Sequence, residues 1–348
     1  MTLVRKAAEP APTPAAGPAV DMTTTLAGVP LRAPVLTASG CAAAGQELDQ
    51  FCDVTQLGAV VTKSIMLRPR SGRPTPRMAE TPSGMLNSIG LQGPGVEEFI
   101  EHDLAWLAER GATAVVSIAG GSVEEYAALA RRLRGLAPIA LLEVNISCPN
   151  VESRGEVFAC DPDAASRVLA AVAAEADVPV LAKLSPDVTS IVDVATAVVE
   201  AGADGLSLIN TTLGMVIDTD TLRPALAGVT GGLSGPAIRP IAVRCVYQVH
   251  QALPHVPLLG MGGIRDGLDA LQFLLAGASA VSVGTAVFGD PGAPLRIADE
   301  LAAALAARGL AGVADAVGLA HRPPLVTVPE SPDPPGDPVP AAAGARRR

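Results

Sequence analysis

Short apolar runs recur through the middle of the chain, and each run ends at polar or glycine residues. Such runs are typical of strands that are buried on both faces, as in a parallel sheet. Eight runs show the pattern, at residues 35–39, 59–63, 114–118, 141–147, 178–185, 205–210, 257–263 and 280–285. The sequence therefore predicts eight buried strands.

Most of the intervals between these runs have the periodicity of amphipathic helices. Residues 123–134 carry apolar side chains at helical spacing, and residues 189–201 and 266–276 behave similarly. Asp161 followed by Pro162 is typical of an N-cap and the first position of a helix. Strands and helices are thus predicted to alternate along the chain.

A weak internal repeat supports the alternation. Gly58, Gly111, Gly202 and Gly277 are each followed by alanine, at points where a helix should end and a strand begin. Glycine at such a point can adopt the left-handed conformation that turns the chain back. Eight strand–helix units that close on themselves predict an α/β fold, the TIM (β/α)8 barrel.

A doubly wound sheet is the alternative, but it needs a glycine-rich dinucleotide loop after the first strand. The sequence there is Ser39-Gly40-Cys41-Ala42, and the run at 260–263 comes too late in the chain. The barrel is predicted to carry active-site loop insertions after strands two, four and six. Residues 21–33 are expected to form a small hairpin at the opposite end.

Composition narrows the class of protein. Apolar residues make up 49% of the chain and aromatic residues 2%, so the core consists of Ala, Val, Leu and Ile. The net charge is −10 with no basic stripe, which argues against nucleic-acid binding. Five cysteines without a CxxC pair favour a reduced, cytoplasmic protein and argue against a metal site or an iron–sulfur cluster on this chain. No apolar run is long enough for a membrane span.

The ends of the chain differ from its middle. Residues 1–22 are rich in Ala and Pro, and residues 311–348 end in a similar Pro/Ala/Arg tail. We expect the first segment to be a disordered arm and the last a largely disordered extension, with the barrel at 23–310.

Two predicted strands end in lysine, which turn chemistry alone does not explain. Lys63 follows an apolar run in the second strand, and Lys183 does so in the fifth. If both face the barrel mouth, they indicate an anionic ligand; the alternative is that they are structural lysines extending toward solvent.

Glycines end the seventh and eighth strands, at Gly262-Gly263 and Gly284-Thr285, and Gly235 opens a helix after the sixth. Loops after these strands commonly bind phosphate through backbone N–H groups. This pattern fits FMN and many sugar phosphates equally well. The apolar loop at 84–91 is interpreted either as a wall over a flat ligand or as a subunit contact.

The segment 143–150, at the end of the fourth strand, carries two amides and a thiol. Asn145 and Ser147 share one face of the strand, and Cys148 could transfer a proton if its environment tunes its pKa. The alternative is an ordinary strand end whose amides cap a turn.

Together these residues resemble class 1 dihydroorotate dehydrogenase over roughly residues 23–308. The resemblance rests on motifs at 62–64, 87–91, 145–150, 209–211, 262–263 and 284–285. The segments 73–77 and 213–215 are similar to the NAD-linked (1B) branch, whose catalytic subunit works with an electron-transfer subunit. A quinone-linked enzyme would have an N-terminal anchor and a serine base.

The resemblance implies FMN-dependent oxidation of (S)-dihydroorotate to orotate in pyrimidine biosynthesis. Cys148 is then the base that removes the C5 proton, and hydride passes from C6 to N5 of FMN. The implied substrate contacts are Lys63, Asn87, Ser88, Ile89, Gly90, Leu91, Asn145, Asn150, Asn210 and Thr211. The implied contacts with one FMN per chain are Ser39, Lys63, Ser64, Ser117, Asn145, Lys183, Ile209, Gly235, Gly262, Gly263, Gly284 and Thr285.

The resemblance also implies a homodimer core that binds a subunit with FAD and a 2Fe-2S cluster, giving a heterotetramer. The chain departs from the family at 41–44, which is smaller than expected, and at Ser117, where relatives often have Asn. Cys160 lies near Cys148 but outside the motif, so it is interpreted as incidental. The alternatives are a flavin barrel that reduces uracil-like rings, as in dihydropyrimidine dehydrogenase, and a non-catalytic barrel subunit.

Overall fold

Eight parallel strands form the wall of a barrel in the computed structural model, which describes residues 20–146 and 161–322. They are β1 (Val35–Thr37), β2 (Val60–Val61), β3 (Ala114–Ile118), β4 (Ile139–Asn145), β5 (Val180–Leu184), β6 (Gly205–Leu208), β7 (Leu258–Met261) and β8 (Ala280–Val283). They pair in the order β1-β8-β7-β6-β5-β4-β3-β2. The predicted strands and the predicted TIM barrel are both confirmed.

The barrel closes between β1 and β2 through a few hydrogen bonds. The backbone N–H of Gly58 donates to the carbonyl of Val35 at 2.9 Å. The Thr37 hydroxyl accepts from the N–H of Val61 at 2.9 Å and lies 3.3 Å from its carbonyl oxygen. A buried threonine thus provides bonds that a longer strand pair would supply through its backbone.

A small apolar cluster fills the barrel interior. Its members alternate along the strands, as inward positions must. They include Leu36, Ala59, Val61, Val115, Leu141, Leu181, Leu259, Met261 and Ala280. The expected N-terminal hairpin is present as antiparallel strands Thr24–Leu26 and Val29–Leu31, and its Leu26 and Leu31 join this cluster. The hairpin therefore plugs one end of the barrel.

Helices cover the outside of the sheet. They are α1 (Gln46–Asp49), α2 (Ala105–Arg110), α3 (Val123–Leu133), α4 (Pro162–Glu175), α5 (Ile191–Glu200), α6 (Arg239–Ala252), α7 (Gly267–Leu275) and α8 (Ala293–Ala306). Val96–Glu98 and the π-helical Phe99–Leu104 lead into α2. The side chains of Asp161, Ser190 and Asp266 cap α4, α5 and α7, so the helices predicted at these positions are confirmed.

The glycine repeat has two different structural causes. Gly111, Gly202 and Gly277 have positive φ angles of 73°, 105° and 114°, as predicted for residues that end helices. The prediction for Gly58 is wrong, because its φ is not positive. A Cβ there would lie 2.2 Å from the carbonyl oxygen of Ala33, so close approach of two backbones explains this glycine.

The segments after β2 and β6 combine into a second, antiparallel sheet, which we call the cover sheet. Its strands pair in the order Thr212–Gly214, Gly231–Ser234, Gly84–Asn87 and Met78–Thr81. A two-stranded ribbon, Ile217–Asp218 with Arg223–Pro224, extends from the same segment. The cover sheet stands at the carboxyl ends of the barrel strands, because residues of both line one cavity.

The C-terminal part of the described chain packs back on the barrel. A short helix, α9 (Val313–Ala316), contacts α7, and so does the 3-10 turn Leu319–His321. The predicted domain boundaries stay a prediction, since residues 1–19 and 323–348 lie outside the described residues. No helix within 20–146 or 161–322 is long and apolar enough to cross a membrane.

Candidate active site

A cavity of about 970 Å³ lies between the carboxyl ends of the barrel strands and the cover sheet. The sequence-predicted site residues converge on it from seven of the eight strands and from the loop at 87–91. Those that line it are Ser39, Lys63, Ser64, Asn87, Ser88, Ile89, Gly90, Leu91, Asn145, Lys183, Ile209, Asn210, Thr211, Gly235, Gly262, Gly263, Gly284 and Thr285. The fold thus brings together residues that are far apart in the sequence.

Three predicted site residues are not seen in this wall. Two of them, Cys148 and Asn150, lie outside the described residues, and the third is Ser117. Cys160, which was not predicted to belong to the site, also lies outside the described residues. Ser117 is fully buried and stands behind the wall, where its Oγ lies 2.9 Å from the Oγ of Ser64. A direct contact between Ser117 and a flavin stays a prediction.

Amides and hydroxyls form a connected network across the strand ends. The Asn145 side chain donates to the Ser64 Oγ at 3.1 Å and accepts from the Asn210 amide at 3.2 Å. Ser64 in turn lies 3.2 Å from the Ser39 hydroxyl. The backbone carbonyl of Asn145 accepts from the Tyr126 hydroxyl at 2.8 Å. A network with this many partners fixes the orientation of each amide before a ligand arrives.

Two lysines place positive charge at the floor of the cavity. Lys183 is 4% exposed, and its Nζ lies 3.3 Å from Oε1 of Glu143, which is fully buried. Lys63 is half-buried, and its Nζ lies near Gly40 at the end of β1. Both predicted lysines therefore face the barrel mouth, which supports the anionic-ligand interpretation.

Cys41 lines the cavity and belongs to the segment 41–44, which departs from the family pattern and was not predicted to be part of the site. Burial raises the pKa of its thiol to about 11, although the charges of Lys183 and Lys63 act in the opposite direction. Cys41 is therefore a neutral thiol at physiological pH, which makes it a poor base or nucleophile.

Glycines build the side of the cavity after β6, β7 and β8. Gly235, Gly262 and Gly263 have positive φ angles of 92°, 130° and 74°. A Cβ on Gly263 would lie 2.7 Å from the carbonyl oxygen of Gly235, and one on Gly235 would lie 2.7 Å from the Cα of Gly84. Only glycine fits this cradle, whose backbone lies against the cavity. Such a backbone suits a phosphate group.

Several polar residues of the cavity were not predicted. Arg73 donates to the Ser88 hydroxyl at 3.3 Å, and Asp187 accepts from the N–H of Leu213 at 2.8 Å. Arg265 also lines the wall. These residues come from loops whose course cannot be derived from periodicity. Glu143 did leave a signal, because it stands two residues before Asn145 and so shares its face of the strand.

Among the residues that the structure describes, no group of three or more His, Cys, Asp or Glu side chains could hold a metal ion. The cavity instead offers two lysines, two arginines, several amides and a glycine cradle. These groups fit FMN together with a flat anionic ligand, since one needs a phosphate site and the other needs positive charge and amide donors.

The chain matches a family of known proteins over most of its length. The family model "Dihydroorotate dehydrogenase" matches residues 21–305. A Pelobacter propionicus protein is 52% identical over 86% of this chain and 98% of its own length. Proteins of Geobacter sp. (strain M21) and Desulforudis audaxviator are 50% and 51% identical, over 86% and 85% of this chain and 97% and 96% of their own lengths. All three are named "Dihydroorotate dehydrogenase B (NAD(+)), catalytic subunit".

Proposed function

Because the chain belongs to the dihydroorotate dehydrogenase family, we propose that it oxidises (S)-dihydroorotate to orotate in pyrimidine biosynthesis, as the catalytic subunit of an NAD-linked enzyme. One observation carries the proposal beyond the family match: the predicted substrate and cofactor residues of the described chain, Ser117 apart, share one cavity. A non-catalytic barrel would have no reason to keep such a set together.

The substrate is a flat ring that bears a carboxylate. Lys63 supplies positive charge for that carboxylate, and the amides of Asn87, Asn145 and Asn210 suit the polar edges of the ring. The network between Asn145, Ser64 and Asn210 holds these groups in place. A uracil-like ring has no carboxylate, so Lys63 favours dihydroorotate over the alternative substrate class.

Cys148 is the proposed base, which takes the proton from C5 of dihydroorotate. Asn150 is a proposed substrate contact beside it. FMN would supply the acceptor for the hydride that leaves C6. The ring would then lose one proton from C5 and one hydride from C6 and become orotate. The glycine cradle at Gly235, Gly262 and Gly263 would hold the FMN phosphate, and Lys183 would lie near the ring system.

The acceptor of the electrons is proposed to be NAD, reached through a partner subunit that carries FAD and a 2Fe-2S cluster. The names of the relatives support this, because each is named as the catalytic subunit of an NAD(+) enzyme. A homodimer core within a heterotetramer and a cytoplasmic location complete the proposal. Co-purification with the partner subunit tests it, and full NAD reduction by this chain alone would contradict it.

Anaerobic mixing of the FMN-loaded chain with dihydroorotate tests the reaction itself. We expect loss of the oxidised flavin absorbance in the wild type, and a rate at least hundredfold lower in Cys148→Ala and Cys148→Ser. Cys160→Ser, twelve residues later in the sequence and outside the motif, is the matched control and should react like the wild type.

Two outcomes would count against the proposal. A wild-type rate in Cys148→Ala would remove Cys148 as the base, and a wild-type flavin that dihydroorotate does not reduce would remove the reaction. Titration of the oxidised protein with orotate and with uracil separates the two substrate classes, since only orotate should perturb the flavin spectrum strongly.

A further inference from the structure

A buried ion pair lies beneath the floor of the cavity. Glu143 in β4 is fully buried, Lys183 in β5 is 4% exposed, and Oε1 of the first lies 3.3 Å from Nζ of the second. We infer that Glu143 is a positioning residue: it orients the Lys183 ammonium and offsets its charge, and it thereby lowers the reduction potential of bound FMN. The inference rests on the proposed function for the identity of the cofactor.

The strand geometry puts Glu143 inside the barrel. Leu141, two residues earlier, belongs to the interior apolar cluster, and Asn145, two residues later, lines the cavity. Since side chains alternate along a strand, Glu143 points inward between them, one layer below the cavity. Asn145 is paired with Lys183 across β4 and β5, so the Cα of Lys183 lies at the level of Asn145, nearer the cavity than Glu143. The lysine side chain brings its ammonium within 3.3 Å of the Glu143 carboxylate.

A carboxylate buried inside the barrel, such as that of Glu143, requires a physical explanation. Barrel interiors are normally filled by branched apolar side chains, and a buried carboxylate is unfavourable unless it is paired. Oε2 of Glu143 has no hydrogen-bond partner among the described residues, and the same holds for the hydroxyls of Ser207 and Ser282, which are also buried. Among the described residues, the charged partner of the Glu143 carboxylate is therefore Lys183.

The pair acts on the cavity through charge. The Lys183 ammonium and the Glu143 carboxylate lie 3.3 Å apart, so each partly offsets the other's charge. In a dry interior they are weakly screened, so both are felt at a ligand above the floor. Reduction of bound FMN adds negative charge there; the Lys183 ammonium favours that change, and the Glu143 carboxylate opposes it. Removal of the carboxylate should make reduction easier, whereas removal of the ammonium should make it harder.

Glu143→Gln in the full-length, FMN-loaded chain tests the inference, because glutamine keeps the shape and removes the charge. Titration with dithionite and redox dyes gives the midpoint potential. We expect a more positive potential, with the equilibrium constant for two-electron reduction raised at least tenfold, which corresponds to about 30 mV. Glu143→Asp keeps the charge and should stay close to the wild type.

The controls separate charge from packing. Ser207→Ala changes another buried side chain of the barrel interior whose hydroxyl has no hydrogen-bond partner among the described residues, and should leave the potential unchanged. Lys183→Met should shift the potential in the negative direction. If Glu143→Gln does not fold, the double variant Glu143→Met/Lys183→Met replaces the whole pair by apolar side chains, which a buried site tolerates better than the loss of one partner. Its potential should lie above that of Lys183→Met alone, because only the carboxylate differs between these two variants.

A potential in Glu143→Gln equal to that of Ser207→Ala, or more negative, would overturn the inference. Dithionite reduces flavin without any need for dihydroorotate, so this result is independent of the substrate. Wild-type protein that binds FMN but is not reduced by dihydroorotate would instead contradict only the proposed function. Wild-type protein that binds no FMN would contradict both.

Discussion

Single residues in this cavity are held by partners from other elements of the fold. Asn145 is bonded through its side chain to Ser64 and Asn210 and through its backbone to Tyr126. Lys63 has a half-buried side chain in the cavity wall. Bonded residues such as Asn145 give the site its shape, and Lys63 gives it positive charge that a ligand can reach.

Replacement of Lys63 should therefore weaken ligand binding more than it affects folding. A hydrogen bond to a charged group contributes about 1.5–3 kcal/mol, so Lys63→Met is expected to raise the Kd for orotate roughly ten- to hundredfold. Perturbation of the flavin spectrum measures that Kd. Arg32→Met is a matched loss of a cation outside the cavity wall and should leave the Kd unchanged; the Arg32 guanidinium donates to the carbonyl of Thr55 at 2.7 Å. An unaltered Kd in Lys63→Met would show that the lysine does not bind the carboxylate.

Cys41 should make the protein less stable at alkaline pH. Its folded-state pKa is raised to about 11, so between its ordinary pKa and that value the folded chain binds more protons than the unfolded chain. This contribution to stability is present below the ordinary pKa and is lost as pH rises to about 11. Cys41→Ala should therefore flatten the alkaline fall in the free energy of unfolding by at most about 2.7 kcal/mol, since one pKa unit corresponds to about 1.36 kcal/mol.

Urea unfolding at several pH values from neutral to alkaline measures this difference. Cys245→Ala is a useful comparison, because burial also raises the pKa of the Cys245 thiol at a place outside the cavity wall. Identical pH profiles for Cys41→Ala and the wild type would show that the Cys41 thiol ionises as readily in the folded chain as in the unfolded chain.

At the scale of elements, the cavity is made by joining two distant segments in the cover sheet. Gly84–Asn87 follows β2, whereas Gly231–Ser234 follows β6, and the two strands pair with each other. The contact is close: a Cβ on Gly84 would lie 2.0 Å from the carbonyl oxygen of Ser234. The pairing of these strands therefore depends on a glycine at this position, and so does the placement of Asn87.

Gly84→Ala tests how far the site depends on the cover sheet. The added methyl group must displace backbone, which typically costs about 1–3 kcal/mol of stability, and orotate binding should weaken at least tenfold as Asn87 moves. Gly93→Ala is the matched control, because a Cβ there meets nothing within 4 Å and its φ is not positive. Calorimetry and the orotate titration measure the two effects; equal behaviour of the two variants would contradict the role given to Gly84.

The elements also show what a sequence can and cannot predict. The eight strands and the helices were predictable because alternation and periodicity are local signals, and Gly111, Gly202 and Gly277 mark their turns. The cover sheet was not, since Asn87 and its bonding partner Gly232 are 145 residues apart and short glycine-rich strands carry little pattern. The pairing of Glu143 with Lys183 likewise needed the register between β4 and β5, which no local pattern gives.

At the scale of the whole molecule, the cavity draws on nearly every strand of the barrel. Its wall includes residues at the carboxyl ends of β1, β2, β4, β5, β6, β7 and β8, together with residues of the cover sheet. A ligand that binds there contacts segments that come together only in the folded chain. Binding is therefore coupled to global stability, because the unfolded chain has no such site.

This coupling gives a test of the glycine cradle that does not depend on catalysis. FMN at about 100 times its Kd should raise the free energy of unfolding by about 2.7 kcal/mol. Riboflavin has the same ring system but no phosphate, so at equal concentration it should raise the melting temperature much less. The cradle variant Gly263→Ala places a Cβ at a φ of 74° and 2.7 Å from the carbonyl oxygen of Gly235, so it should reduce the FMN effect toward that of riboflavin. Gly93→Ala should keep the full difference between the two ligands. If FMN and riboflavin stabilised the wild type equally, the phosphate would not be bound by this backbone, and the glycines after β6 and β7 would serve only to bring the chain segments close together.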